Sequence, residues 1–135
     1  MNSAVNESLS ILKKSKVLLY PTDTVWGIGC DATDEKAVQK IYQLKNREES
    51  KSLIILVDSI EMLQKYVGSI SAKILRILEE SKKPTTLIYN NPKGLAKNTI
   101  ASDQTIAIRI VKSGFCHELI RRFDKPIVST SANTS

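Results

Sequence analysis

The chain has 135 residues, 41% of them hydrophobic and 25% charged, with 20 Lys and Arg against 14 Asp and Glu for a net charge of +6. These are the proportions of an ordinary globular domain, long enough to bury roughly two thirds of the surface its unfolded form would expose, and they exclude a disordered tail or a fibrous repeat. The longest apolar run, LIILV, is far too short to span a bilayer, and MNSAVNESLSILKK carries a Glu and no continuous apolar block. Neither a membrane span nor a secretory leader is therefore expected, and the reading places the chain in the cytoplasm.

In chain order, Val5, Leu9 and Leu12 recur at near-helical spacing and give a first helix that breaks at Lys13, Ser15 and Lys16. KVLLY reads as a buried strand. It empties into PTDTVWGIG, which has more hydroxyls and a larger aromatic than a tight turn uses. TDEKAVQKIYQLKN places Ala37, Val38, Ile41 and Leu44 on one helical face, with Thr33 or Asp34 as cap. SLIILV follows as a second buried strand. DSIEMLQKYV has Asp58 and Glu61 at capping-box spacing, and SAKILRILEESKK is an amphipathic helix capped by Ser71. PTTLIY reads as a strand, NNPKGLAKNTIASDQ as a long loop, and TIAIRIV as an alternating strand interrupted by Arg109. GFCHELIRRF is a helix, and PIVSTSA a last short strand. Strands alternating with helices, with no linker or repeat between them, point to one domain over residues 1–135: a sheet flanked by helices.

Cys30 and Cys116 have no metal-ligand spacing and read as two small buried thiols. His117 is the single histidine; helical spacing sets it apart from the face of Phe115, Leu119 and Phe123, as a solvated residue. The positive charge would concentrate polyanions near the surface, although a solvated exterior accounts for it equally well.

Three stretches fall at the ends of elements, where open sheets of this kind hold ligands. In the first, Thr22 and Thr24 offer hydroxyls to a small polar ligand, and Gly27 and Gly29 let backbone approach closely; a plain turn is the competing reading. In the second, LKNREESK, the cations Lys45, Arg47 and Lys51 crowd a helix exit. Helix-end stabilisation and a grip on a triphosphate, aided by Lys82, Lys83 and Arg109, explain them equally well. Neither GxxxxGK[ST] nor GxGxxG occurs, so neither of the common glycine-rich cradles holds a nucleotide here. The third is the row of short donors Ser129, Thr130, Ser131 and Asn133, residues that also simply build loops.

Taken together, YPTDTVWGIG, LKNREESKSLIIL with its Lys-x-Arg, PTTLI, the Arg of TIAIRI and STSAN resemble, in order and spacing, the YrdC-like threonylcarbamoyl-AMP synthase family. The resemblance implies an α+β, three-layer fold, a twisted mixed β-sheet flanked by helices, with a basic cleft. It implies formation of threonylcarbamoyl-AMP and pyrophosphate from L-threonine, bicarbonate and ATP with Mg2+, for modification of adenosine 37 in tRNA by further proteins. By the same resemblance Thr24 contacts threonine, Arg109 pairs with a carboxylate or phosphate, and Ser129 and Asn133 complete the substrate wall. Lys45, Arg47 and Lys51 take the ATP phosphates, and Thr86 and Ser131 position the nucleotide. No strong base stands among these residues, so positioning and charge compensation are expected to carry the chemistry.

The chain departs from the family pattern in three places. Glu48 stands where a Pro usually follows the Lys-x-Arg, and Lys82, Lys83 and Pro84 replace a Pro-Gly-Pro. Relatives continue past the equivalent of Ser135 through a Gly and a further stretch, so the domain is expected to be short at its C-terminus. A non-catalytic relative that binds double-stranded RNA is the alternative expectation, resting on the net charge and this shorter end.

Overall fold

The computed structural model describes residues 2–21, 26–45 and 53–131. The elements are α1 (Asn2–Lys13), β1 (Leu18–Pro21), β2 (Trp26–Asp31), α2 (Glu35–Lys45), β3 (Ile54–Val57) and α3 (Ile60–Val67). They continue with α4 (Ala72–Glu80), β4 (Thr86–Asn90), β5 (Thr105–Ile110), α5 (Gly114–Phe123) and β6 (Ile127–Ser131). The region read as a long loop holds one 3-10 turn, Lys97–Thr99.

The strands form one mixed sheet in the order β1-β2-β6-β3-β5-β4. Only β3 and β5 run parallel; every other neighbouring pair is antiparallel. β2 was not foreseen. WGIGCD is poor in strand-forming residues, but it pairs on both sides, with β1 and β6, and tertiary pairing overrides weak propensity.

Residues directly opposite in register share a face, which divides the sheet cleanly. Leu18 and Tyr20, Gly27 and Gly29, Ile127 and Ser129, Ile54 and Leu56, Arg109, and Thr86 lie on one face. Ile28, Cys30, Val128, Ile55, Val57, Ile106 and Ile108 lie on the other, every one of them buried. On the first face α5 brings Phe115 to the Tyr20 ring, with centroids 6.3 Å apart, and α1 packs beside α5. α2 packs on β2 and α3 on β3. The core is continuous through the sheet, with Val5, Ile41, Leu63, Leu119 and Ile120 fully buried.

Helix starts follow side-chain chemistry. The Asp34 carboxylate accepts from the amides of Lys36 and Ala37 at 3.0 and 3.3 Å, and also from the Ser15 hydroxyl, tying the turn after α1 to the head of α2. Ser71 caps α4 as expected, accepting from the Ile74 amide at 3.2 Å. At α3 the cap is Ser59, which accepts from the Met62 amide at 3.1 Å, while Asp58 instead accepts from the Ser59 hydroxyl. His117 is half-buried rather than solvated: its Nδ1 lies 2.7 Å from the Val111 carbonyl, fastening α5 to the end of β5.

Candidate functional site

A cavity of about 670 Å³ opens on the face that carries Tyr20, Ser129 and Arg109. Its floor is sheet; its far walls are the 81–85 loop after α4 and the turn from β5 into α5. Lys82, Lys83, Arg109 and Lys112 line it, and no Asp or Glu does among the described residues. A volume of this size suits a nucleotide-sized or smaller ligand, and four cations without a local anion suit a negatively charged one.

Arg109 is directed by its neighbour across the β4–β5 pair. Thr86 is its register partner, and Arg109 Nε donates to Thr86 Oγ1 at 2.9 Å. With Nε committed, the two terminal nitrogens form the fork that pairs best with a carboxylate or phosphate. Thr86 therefore works through the arginine; it is Thr85, not Thr86, that lines the cavity.

The opposite end is built by Tyr20, whose side chain is 2% exposed. Its ring lies over Gly27 and Gly29: a β-carbon at position 27 would sit 2.8 Å from the ring, and one at position 29 would sit 3.1 Å from it. Gly27 and Gly29 are expected from sequence to let backbone approach a ligand; the space above them is instead filled by this chain's own tyrosine. Alternate glycines on one strand face leave a flat lane into which an aromatic from the next strand fits, a signal readable only once the β1–β2 register is known. The Tyr20 hydroxyl meets Ser129 Oγ at 2.5 Å, and burial pushes the phenol pKa up to about 12 against the lowering effect of that bond.

Lys112 ties the two far walls together. Its Nζ donates to the carbonyls of Leu78 and Ser81 at 2.8 and 3.0 Å, satisfying the C-terminal end of α4. Cys116, free and half-buried, also lines the cavity, and burial raises its thiol pKa.

Of the residues singled out from sequence, Arg109 and Ser129 meet at this cavity and Thr86 supports it. Lys82 and Lys83 join them. Ser131 pairs through its backbone with Gly27, and Lys45 closes α2; their side chains, with Thr24, Arg47, Lys51 and Asn133, lie outside the described residues. Tyr20, Lys112 and Phe115 were missed, because each is placed by a pairing or helix contact distant in sequence. Among the described residues, no helix is long and apolar enough to cross a membrane.

These features define an α+β domain with a cationic cleft on one face of a mixed sheet. The family profile Sua5_yciO_yrdC, with the description Telomere recombination, matches residues 10–135, and the chain belongs to this family. It is 39% identical over 136 residues to a threonylcarbamoyl-AMP synthase of Psychromonas ingrahamii, covering 98% of this chain and 71% of that one. Among solved structures it resembles P. abyssi Sua5 complexed with L-threonine, with a TM-score of 0.88 and 26% identity, covering 100% of this chain and 40% of that one. It also resembles full-length HypF in a phosphate- and nucleotide-bound form, with a TM-score of 0.83 and 26% identity, over 97% of this chain and 20% of that one.

Proposed function

We propose that this chain is an L-threonylcarbamoyladenylate synthase, a cytoplasmic nucleotidyltransferase that supplies the activated group for threonylcarbamoyl modification of adenosine 37 in tRNA. The threonine nitrogen attacks the carbon of bicarbonate, its proton leaves with the departing hydroxide as water, and a carbamate remains. A carbamate oxygen then attacks the α-phosphorus of ATP. The bond from that phosphorus to the bridging oxygen breaks, and pyrophosphate takes the electron pair.

The observation that carries this reading is the Arg109 guanidinium, oriented by Thr86 in a cavity whose described lining holds cations and hydroxyls but no carboxylate. Such a lining suits two anionic reactants that would otherwise repel each other, and it offsets the charge that develops during transfer. Arg109 and Ser129 would hold threonine together with Thr24 and Asn133. Lys45, Arg47 and Lys51 would take the phosphates, with Ser131 beside the nucleotide and Lys82 and Lys83 at the rim. Among the described residues no group of acidic, His or Cys side chains is arranged to hold a metal. Mg2+ belongs to the reading as part of the ATP substrate. The relatives support the same chemistry: a threonylcarbamoyl-AMP synthase, a neighbour complexed with L-threonine, and a neighbour in a phosphate- and nucleotide-bound form.

The test is pyrophosphate release from ATP, Mg2+ and bicarbonate, with and without L-threonine. Release that depends on threonine is expected. Folded protein that releases none, or releases it equally without threonine, overturns the proposal.

A further inference from the structure

Tyr20 has one hydrogen-bond partner among the described residues, Ser129 Oγ at 2.5 Å, and Ser129 likewise has only Tyr20. Either oxygen could donate, but burial decides between them. Tyr20 also borders the cavity but is only 2% exposed, so its hydroxyl has little access to solvent, and a buried donor left unsatisfied is costly. Ser129 is half-buried and lines the cavity. If Ser129 donated to Tyr20, the phenol proton would have no acceptor among the described residues. If Tyr20 donates, both groups are satisfied, and the serine proton remains free to turn into the cavity. The phenol is also held in place: its ring is seated over Gly27 and Gly29 and backed by Phe115.

We propose that Tyr20 is a positioning residue that commits its proton to Ser129, so that Ser129 faces the cavity as a hydrogen-bond donor for a carboxylate or carbamate oxygen of the amino-acid substrate. The arrangement spares Ser129 from choosing between two orientations when substrate arrives. It also sets the polarity of this end of the cleft, since a serine that must donate favours an anionic oxygen over an amine. Arg109 lies on the same sheet face, two strands away through the Ser129–Ile54 and Leu56–Arg109 pairs. The amino-acid end thus has a neutral donor and a cationic fork on one surface. This inference rests on the amino-acid-activating reading above, but the donor assignment can be tested without it.

The first measurement is NMR of protein carrying labelled tyrosine. A slowly exchanging Tyr20 hydroxyl proton close to the Ser129 methylene is expected, with rapid exchange after Ser129→Ala. Rapid exchange in the wild type overturns the assignment whatever the substrate. The second is calorimetric binding of L-threonine and of threoninol, which lacks the carboxylate. Tyr20→Phe is expected to weaken L-threonine binding about tenfold while changing threoninol binding little. The double variant Tyr20→Phe/Ser129→Ala is expected to bind threonine no worse than Ser129→Ala alone. Unchanged threonine affinity in Tyr20→Phe, or additive losses in the double variant, overturns the positioning role. A wild type that shows the protected proton but binds no threonine supports the donor assignment and overturns the functional reading instead.

Discussion

A β-carbon on Gly29 would stand 2.8 Å from the Val128 carbonyl oxygen as well as against the Tyr20 ring, so neither neighbour can move aside cheaply. Gly29→Ala is expected to destabilise the fold by about 1 to 3 kcal/mol, read as a lower denaturation midpoint in urea, because it overpacks a paired strand. Tyr20 makes a second prediction at this scale. Its folded-state pKa is raised from 10.0 to about 12, so the unfolded chain loses its phenol proton first as the solution turns alkaline. The stability tied to the neutral phenol is fully present below pH 10 and is lost as pH rises toward 12, a change of about 2 to 3 kcal/mol for a side chain buried this deeply. Denaturation at a series of pH values should show the wild type losing that much relative to Tyr20→Phe across this window, with a constant difference from pH 7 to pH 9. From sequence, the two glycines are expected to let backbone approach a ligand closely, with a plain turn as the alternative. Sequence could not show that Tyr20 covers them, because that depends on the register of a strand whose own composition argues against it.

At the scale of elements, the far side of the cleft depends on a contact that sequence gives no hint of. Lys112 reads as one more surface lysine in a basic chain, yet its Nζ bridges the Leu78 and Ser81 carbonyls and holds the end of α4 to the β5–α5 turn. Lys112→Met keeps the aliphatic stem and removes both bonds, each worth about 0.5 to 1.5 kcal/mol for an exposed lysine. Faster amide exchange in residues 81–85 is expected, with exchange in β3 unchanged; unchanged exchange in residues 81–85 would rule out the tie. Helices were legible because their apolar spacing is local: α2, α4 and α5 sit where periodicity put them. Caps were legible where one candidate existed, as at Ser71, and went astray at α3, where Asp58 and Ser59 compete. The serine wins because its hydroxyl reaches the Met62 amide, leaving the carboxylate to accept from the serine.

For the whole molecule, alternation and strand ends sort residues into faces, but they do not say which strands become neighbours. The last strand in sequence, β6, inserts between β2 and β3 and so joins the β1–β2 hairpin to the rest of the sheet. That placement brings Ser129 beside Gly29 and within reach of Tyr20, and it puts Ser129 on the same sheet face as Arg109. The cleft therefore exists only when β6 is in place, and its stability should follow that strand rather than the sheet edges. Ile127 is 0% exposed, with β2 and β3 on either side, whereas Ile88 on edge strand β4 is 66% exposed. Truncating Ile127 to Ala leaves a cavity at the join and should cost about 2 to 5 kcal/mol, while Ile88→Ala should change stability by no more than about 0.5 kcal/mol. If the two variants instead unfold at similar denaturant concentrations, the hairpin does not depend on β6 for its attachment. If Ile127→Ala unfolds in two steps, with Tyr20 becoming solvent-accessible before the β3–β5–β4 half melts, then β6 is the joint through which binding energy at the cleft reaches the fold.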